Sequence, residues 1–230
     1  MAKKKEKAEE PIHAVEEALG KTELFIEKNQ RIIYIVVGAI VVIALVFFGY
    51  RKLYLGPKEK EAESQMFMAE KYFEKDSLSI ALNGDGNYLG FLNIIDDYGI
   101  TKSGNLAKYY AGICYLRLGE FENAIEYLNK FKGKDVMISC MAIGAKGDAY
   151  MELGQTEKAL DCYIKAADRY NNEFTTPMFL MKAGLTYESL GKYADALKLY
   201  ERIKNDYMKS FEYRSIDKYI ARAKGYLGME

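Results

Sequence analysis

Chemistry in this sequence would have to come from a short list of side chains. They are one histidine, His13, three cysteines, Cys114, Cys140 and Cys162, the Asp96-Asp97 pair and the run Asn83-Gly84-Asp85-Gly86-Asn87. A nucleophile needs a base within hydrogen-bond reach, most often histidine. His13 lies in a charged N-terminal stretch, so no Ser/His/Asp or Cys/His set is implied. The cysteines are odd in number and make no C-x-x-C pair, which argues against a zinc, redox or disulfide framework. They read as small buried hydrophobes. The NGDGN run opens like a calcium loop, but Tyr88 stands where such a loop needs glycine and Ile94 where it needs a bidentate glutamate. It reads as a turn, and Asp96-Asp97 as a solvated pair at a helix end. No P-loop or dinucleotide fingerprint occurs. The expectation is a chain that is not an enzyme and needs no cofactor or metal.

What remains is architecture. The chain has 230 residues, half of them hydrophobic, with 33 Lys plus Arg against 33 Asp plus Glu. The first 31 residues carry seven charges of each sign, so the remainder also nets zero. No basic half exists to hold nucleic acid by counterion release.

Residues 32–50, IIYIVVGAIVVIALVFFGY, contain no charge, and thirteen of the nineteen are Ile, Leu, Val or Phe. As a helix they would span roughly 28 Å, near the thickness of a bilayer's hydrocarbon core. Arg31 bounds one end and Arg51-Lys52 the other, with Tyr34, Tyr50 and Tyr54 placed as interfacial anchors. The helix is expected to stop at Gly56-Pro57. The preceding 31 residues are too long for a signal-peptide n-region, and no small-residue cleavage site follows Phe48, so the stretch (32–55) reads as a permanent anchor. Lys21, Lys28 and Arg31 on one side balance Arg51, Lys52, Lys58 and Lys60 on the other. The charged tail is the harder end to translocate, which favours an N-terminus inside. Within the tail (1–31), Met1 to Glu10 reads as disordered, and Ile12, Val15, Leu19 and Ile26 give one face of a short amphipathic helix.

From Lys58 onward the apolar spacing is helical and repeats. Ala111-Gly112-x-x-Tyr115 leads to Gly119 and Ala124, Lys146-Gly147-x-x-Tyr150 to Gly154 and Ala159, and Ala183-Gly184-x-x-Tyr187 to Gly191 and Ala196. The turn glycines stand 35 and 37 residues apart. Gly112, Gly147 and Gly184 permit close helix approach, with the tyrosines three residues on filling the space beside them. Gly119, Gly154 and Gly191 suit left-handed turns. Ala69, Tyr72, Gly90 and Ile94 give a degenerate earlier copy, with a longer loop over Asp76 to Asn87. Ile216, Ile220, Ala223 and Leu227 line one face of a C-terminal capping helix.

These units resemble the tetratricopeptide-repeat (TPR) family, stacks of helix pairs of about 34 residues. Trp and the usual closing Pro are missing, and Thr156 replaces a turn aromatic. The expected fold is all-α: an N-terminal transmembrane helix, then a TPR α-solenoid (56–230) of about four helix pairs. The pairs fall at 58–98, 105–133, 140–171 and 177–208, before the cap at 211–228. The family's geometry implies a peptide-binding groove lined by Met66, Phe73, Tyr109, Ile113 and Leu116, continued by Met141, Met151, Met178, Met181 and Leu185. Each of these is equally compatible with inter-repeat core. Tyr109 and Ile113 stand where carboxylate-gripping members carry polar residues, so that clamp is not implied.

The whole layout resembles the single-span ancillary TPR subunits of the bacterial Sec translocon. That resemblance implies an inner-membrane scaffold or chaperone with its TPR domain in the periplasm. Its partners would be apolar segments of secretory chains, translocon subunits and periplasmic chaperones. The alternatives are an envelope-assembly adaptor docking a folded partner, or a regulator of a membrane enzyme.

Overall fold

The computed structural model describes residues 27–229. His13 and residues 1–26 of the charged tail, with its amphipathic stretch, lie outside them. The chain divides into two units, Met1–Pro57 and Lys58–Glu230, each described by itself.

The described part of the first unit is helical from Glu27. Helix α1 (27–49) gives way to a π-helical turn over Tyr50–Leu55. Gly56-Pro57 does not end the helical run, which extends from Glu27 to Glu74. A proline inside an α-helix loses one hydrogen bond and meets the carbonyl four residues back. Here the turn before it is widened, with the Gly56 N–H bonding to the Arg51 carbonyl five residues back, and the backbone passes the ring. The uncharged stretch of α1 is long and apolar enough to cross a membrane, and none of that window is buried. Ile32, Ile43, Leu45 and Phe48 are each more than three-fifths exposed.

The second unit is a run of antiparallel helices: α2 (Gly56–Glu74), α3 (Leu78–Asn83), α4 (Phe91–Tyr98), α5 (Lys102–Leu118), α6 (Phe121–Lys130), α7 (Val136–Glu152), α8 (Thr156–Arg169), α9 (Thr175–Ser189), α10 (Tyr193–Asp206) and α11 (Ile216–Tyr226). From α4 on, each helix packs on the next, and no strand occurs among the described residues. Three pairs, α5–α6, α7–α8 and α9–α10, share one turn. Gly119, Gly154 and Gly191 sit at φ of 81°, 70° and 71°, a region that costs glycine nothing. The residue after each glycine bonds back to the repeat tyrosine's carbonyl, Glu120 to Tyr115, Gln155 to Tyr150 and Lys192 to Tyr187, at 2.8–2.9 Å.

The close approach at Gly112, Gly147 and Gly184 is present, but the tyrosines three residues on are not what occupies it. A β-carbon on these glycines would meet Leu128, Tyr163 and Tyr200, all from the second helix of the same pair. The offset is sixteen residues each time, because that is where the antiparallel partner passes back over the same level. Ala124, Ala159 and Ala196 are fully buried on those second helices.

The segment after α2 is not only a loop. Leu78, Ala81 and Leu82, spaced three and four apart, form the buried face of α3 and close the first core cluster with Phe91 and Ile94. The NGDGN run that follows is a turn: Asp85 Oδ1 accepts from the Asn87 and Tyr88 N–H groups and Oδ2 from the Tyr72 hydroxyl, at 2.6–2.9 Å. Those bonds, the Tyr72 hydroxyl first, hold the Asp85 carboxyl below its ordinary pKa. At the start of α5 the Glu59 carboxylate accepts from the Lys102 and Ser103 N–H groups, tying α2 to the N-terminus of the next pair.

The last pair is covered by α11, preceded by a 3₁₀ turn over Glu212–Ser215. Ile216, Ile220 and Ala223 are buried there, whereas Leu227 stays partly exposed beyond the end of the helix.

Candidate functional site

Repeats stack through contacts that recur one repeat apart. Lys182 Nζ meets Asp148 Oδ1 at 2.6 Å, Arg202 meets Asp168 at 2.9 Å, and Arg222 grips the Glu188 carboxylate, each pair 34 residues apart. Neighbouring units are therefore cross-linked at a regular interval, as expected when each unit touches only the next.

The ten groove residues expected from the repeat register divide into three groups. Met66 is 4% exposed and packs with Ala62, Ala69 and Leu82, so it is core. Phe73 meets Phe91 and Tyr110 edge-on at centroid distances of 6.4 and 5.1 Å and belongs to the same cluster. Phe91 comes from α4 and Tyr110 from α5, so those two helices cover the Phe73 ring. Tyr109, Ile113 and Leu116 are half-buried against Leu128, Ala142 and Ala145, in the layer between one pair and the next. Tyr109 also lies 5.6 Å from the Phe131 ring.

The remaining five fall on α7 and α9. Met141, Met151, Met178 and Met181 are half-buried against the large C-terminal core, and Leu185 is 40% exposed. The Asp148–Lys182 pair joins the same two helices, and Lys182 Nζ also stands 5.5 Å over the Tyr163 ring. The sequence register gives the methionines but not this pair, whose signal is only a 34-residue interval between opposite charges.

Among the described residues, those that could do chemistry do not gather into a centre. Cys114, Cys140 and Cys162 are buried and free, and burial pushes the Cys114 thiol up to about 12. A thiol held that high is not a nucleophile near neutral pH. Among the described residues no group of three His, Cys, Asp or Glu is placed to hold a metal ion.

An all-helical stack with this turn and this spacing defines a repeat protein of the helix-pair class. Residues 145–209 and, separately, 106–135 match family models described as tetratricopeptide repeat, so those stretches are similar to TPR repeats. Among solved structures it is similar to the kinesin light chain nearly identical TPR-like repeats of Podosopora anserina, at 16% identity over 74% of this chain and 88% of that one, with a TM-score of 0.54. A single-substitution form of the same repeats gives the same figures. MamA aligns at 23% identity over 60% of this chain and 89% of that one, with a TM-score of 0.40, too loose a fit to argue from. No curated protein matches the chain.

Proposed function

We propose that this protein is a membrane-tethered scaffold that binds other proteins and carries no catalytic activity. The anchor is the uncharged stretch of α1. The binding face is the methionine-rich surface of α7 and α9, taking apolar segments of partner chains in the manner of a chaperone beside a secretory translocon. The observation that carries the reading is the cluster of Met141, Met151, Met178 and Met181, half-buried on the first helices of two successive pairs beside the exposed Leu185. Methionine's unbranched, polarizable chain fits many apolar shapes, which suits a surface that takes varied segments. The support for the tether is the unburied apolar surface of α1, which a bilayer would remove from water.

The test is Met141→Glu with Met181→Glu, compared with wild type in thermal melting and in photo-crosslinking to nascent secretory chains in membranes. Bringing an apolar segment against two carboxylates costs their hydration, so crosslinks should fall sharply while melting is preserved. Unchanged crosslinks and melting would move partner binding to another face and favour an adaptor that docks a folded protein. A collapsed melting curve would make these methionines core and remove the groove.

A further inference from the structure

Helix α7 has a second stripe. At about 100° per residue, Ser139, Ala142, Ile143 and Lys146 share a face roughly half a turn away from Met141, Asp148 and Met151. This stripe floors an open cleft of about 430 Å³ between the end of α6, the α6–α7 connection and the end of α8. Four cations line it, Lys132, Lys134, Lys146 and Arg169, and no carboxylate does. Among the described residues none of the four is in an ion pair. Lys146 Nζ donates to Asn129 Oδ1 at 2.8 Å, and Arg169 donates to the Gly133 carbonyl at 3.2 Å. Between the cations the wall is apolar, from Leu128, Phe131 and Ile143. Ser139, 3% exposed, stands in the same wall with its Oγ buried and without a hydrogen-bond partner. Buried hydroxyls in folded proteins are almost always bonded, so an orphan in a wall that also carries Lys132 and Lys134, neither in an ion pair, points to a missing acceptor.

We infer that this cleft binds an acidic segment of a partner protein, a carboxylate set next to an apolar side chain. The carboxylate meets Lys132, Lys134 and the Ser139 hydroxyl, and the apolar neighbour lies on Leu128 and Ile143. The volume suits one or two side chains. Three features disfavour a phosphate group. The Arg169 head is engaged at Gly133, the N-terminal amides of Met137 and Ile138 are taken by Asp135 at 2.8 Å, and the other cations are lysines, which act as point charges without a fork. The site lies on the face of α7 opposite the methionines, so it stands or falls separately from them.

The test uses the full chain in neutral-lipid nanodiscs and a blocked, fluorescent hexapeptide with one glutamate between two leucines. The comparison peptide carries glutamine instead. Anisotropy should show the glutamate peptide binding on the order of tenfold tighter, with the preference fading in salt. Lys132→Gln with Lys134→Gln should abolish that preference. Ser139→Ala should weaken the glutamate peptide several-fold with melting unchanged or raised, because the hydroxyl has no structural partner to lose. Met141→Glu with Met181→Glu should leave the preference intact. Equal binding of the two peptides, or a preference that survives loss of both lysines, would overturn the assignment. So would displacement of the peptide by millimolar inorganic phosphate or by phosphatidylglycerol nanodiscs, which would make the ligand a phosphate or a lipid surface.

Discussion

Replacing Gly144 with alanine tests how closely successive repeats stack. A β-carbon at this position would fall 1.9 Å from Cε1 and 2.2 Å from Cζ of Phe179, a ring that α9 lays across α7. Phe179 is 1% exposed and sits among Cys140, Leu180 and Ala183, so it has nowhere to withdraw. Overpacking of this kind costs about 1–3 kcal/mol, and contacts this short place the cost near the top. Alanine is the better helix former by about 1 kcal/mol, which leaves a net loss of about 2 kcal/mol. For a chain of this size that corresponds to a fall in Tm of about 4–8 °C. Gly225→Ala is the matched control. It adds the same methyl to α11 where nothing lies within 4 Å, and it should hold or raise Tm. Both variants would be melted as full chains in detergent by far-UV circular dichroism. Phe179→Leu added to Gly144→Ala should recover part of the loss relative to the sum of the single changes. A Gly144→Ala protein as stable as the Gly225→Ala protein would refute the close α7–α9 packing described here.

Three further outcomes are expected. Protease added outside spheroplasts should digest residues 58–230 and spare the N-terminal tail, and digestion of the tail alone would reverse the orientation expected from the charged tail. Arg222→Ala removes the grip on Glu188, so hydrogen exchange should rise first in α11 while α7 and α8 keep their protection, because a stacked array loses its end unit first. Uniform loss across the second unit would contradict that order. Asp85, with its pKa lowered chiefly by the Tyr72 hydroxyl, stabilises the fold above the ordinary carboxylate pKa of about 4 and ceases to as pH falls through its own lower value. Melting curves of wild type and Asp85→Asn should therefore differ at neutral pH and converge in acid, and a constant difference would mean the carboxylate's charge is not involved.

Much of the repeat domain is legible in the sequence because its signals are local. A turn glycine at positive φ and the bond from the following residue to the tyrosine's carbonyl involve only a few neighbouring residues. Gly119, Gly154 and Gly191 therefore mark the three shared turns without reference to the rest of the chain. The uncharged stretch over 32–50 is similarly plain, since length and charge are one-dimensional properties. Other features depend on which helix passes over which. The repeat tyrosine is the natural neighbour of its glycine in sequence, yet the occupant comes from the opposite helix. Gly144 fits no part of the repeat pattern, and only the crossing of α9 gives it a reason. Met66 and Phe73 hold groove positions in the register, but Met66 is buried in the first core cluster and Phe73 packs against Phe91 of α4 and Tyr110 of α5. The cationic cleft is the clearest case. Lys132, Lys134, Lys146 and Arg169 belong to a connection and two helices, and in sequence they are ordinary solvated charges. Stacking one pair on the next brings them around a single cleft, because a solenoid fixes neighbours by the rise of the repeat and not by position along the chain.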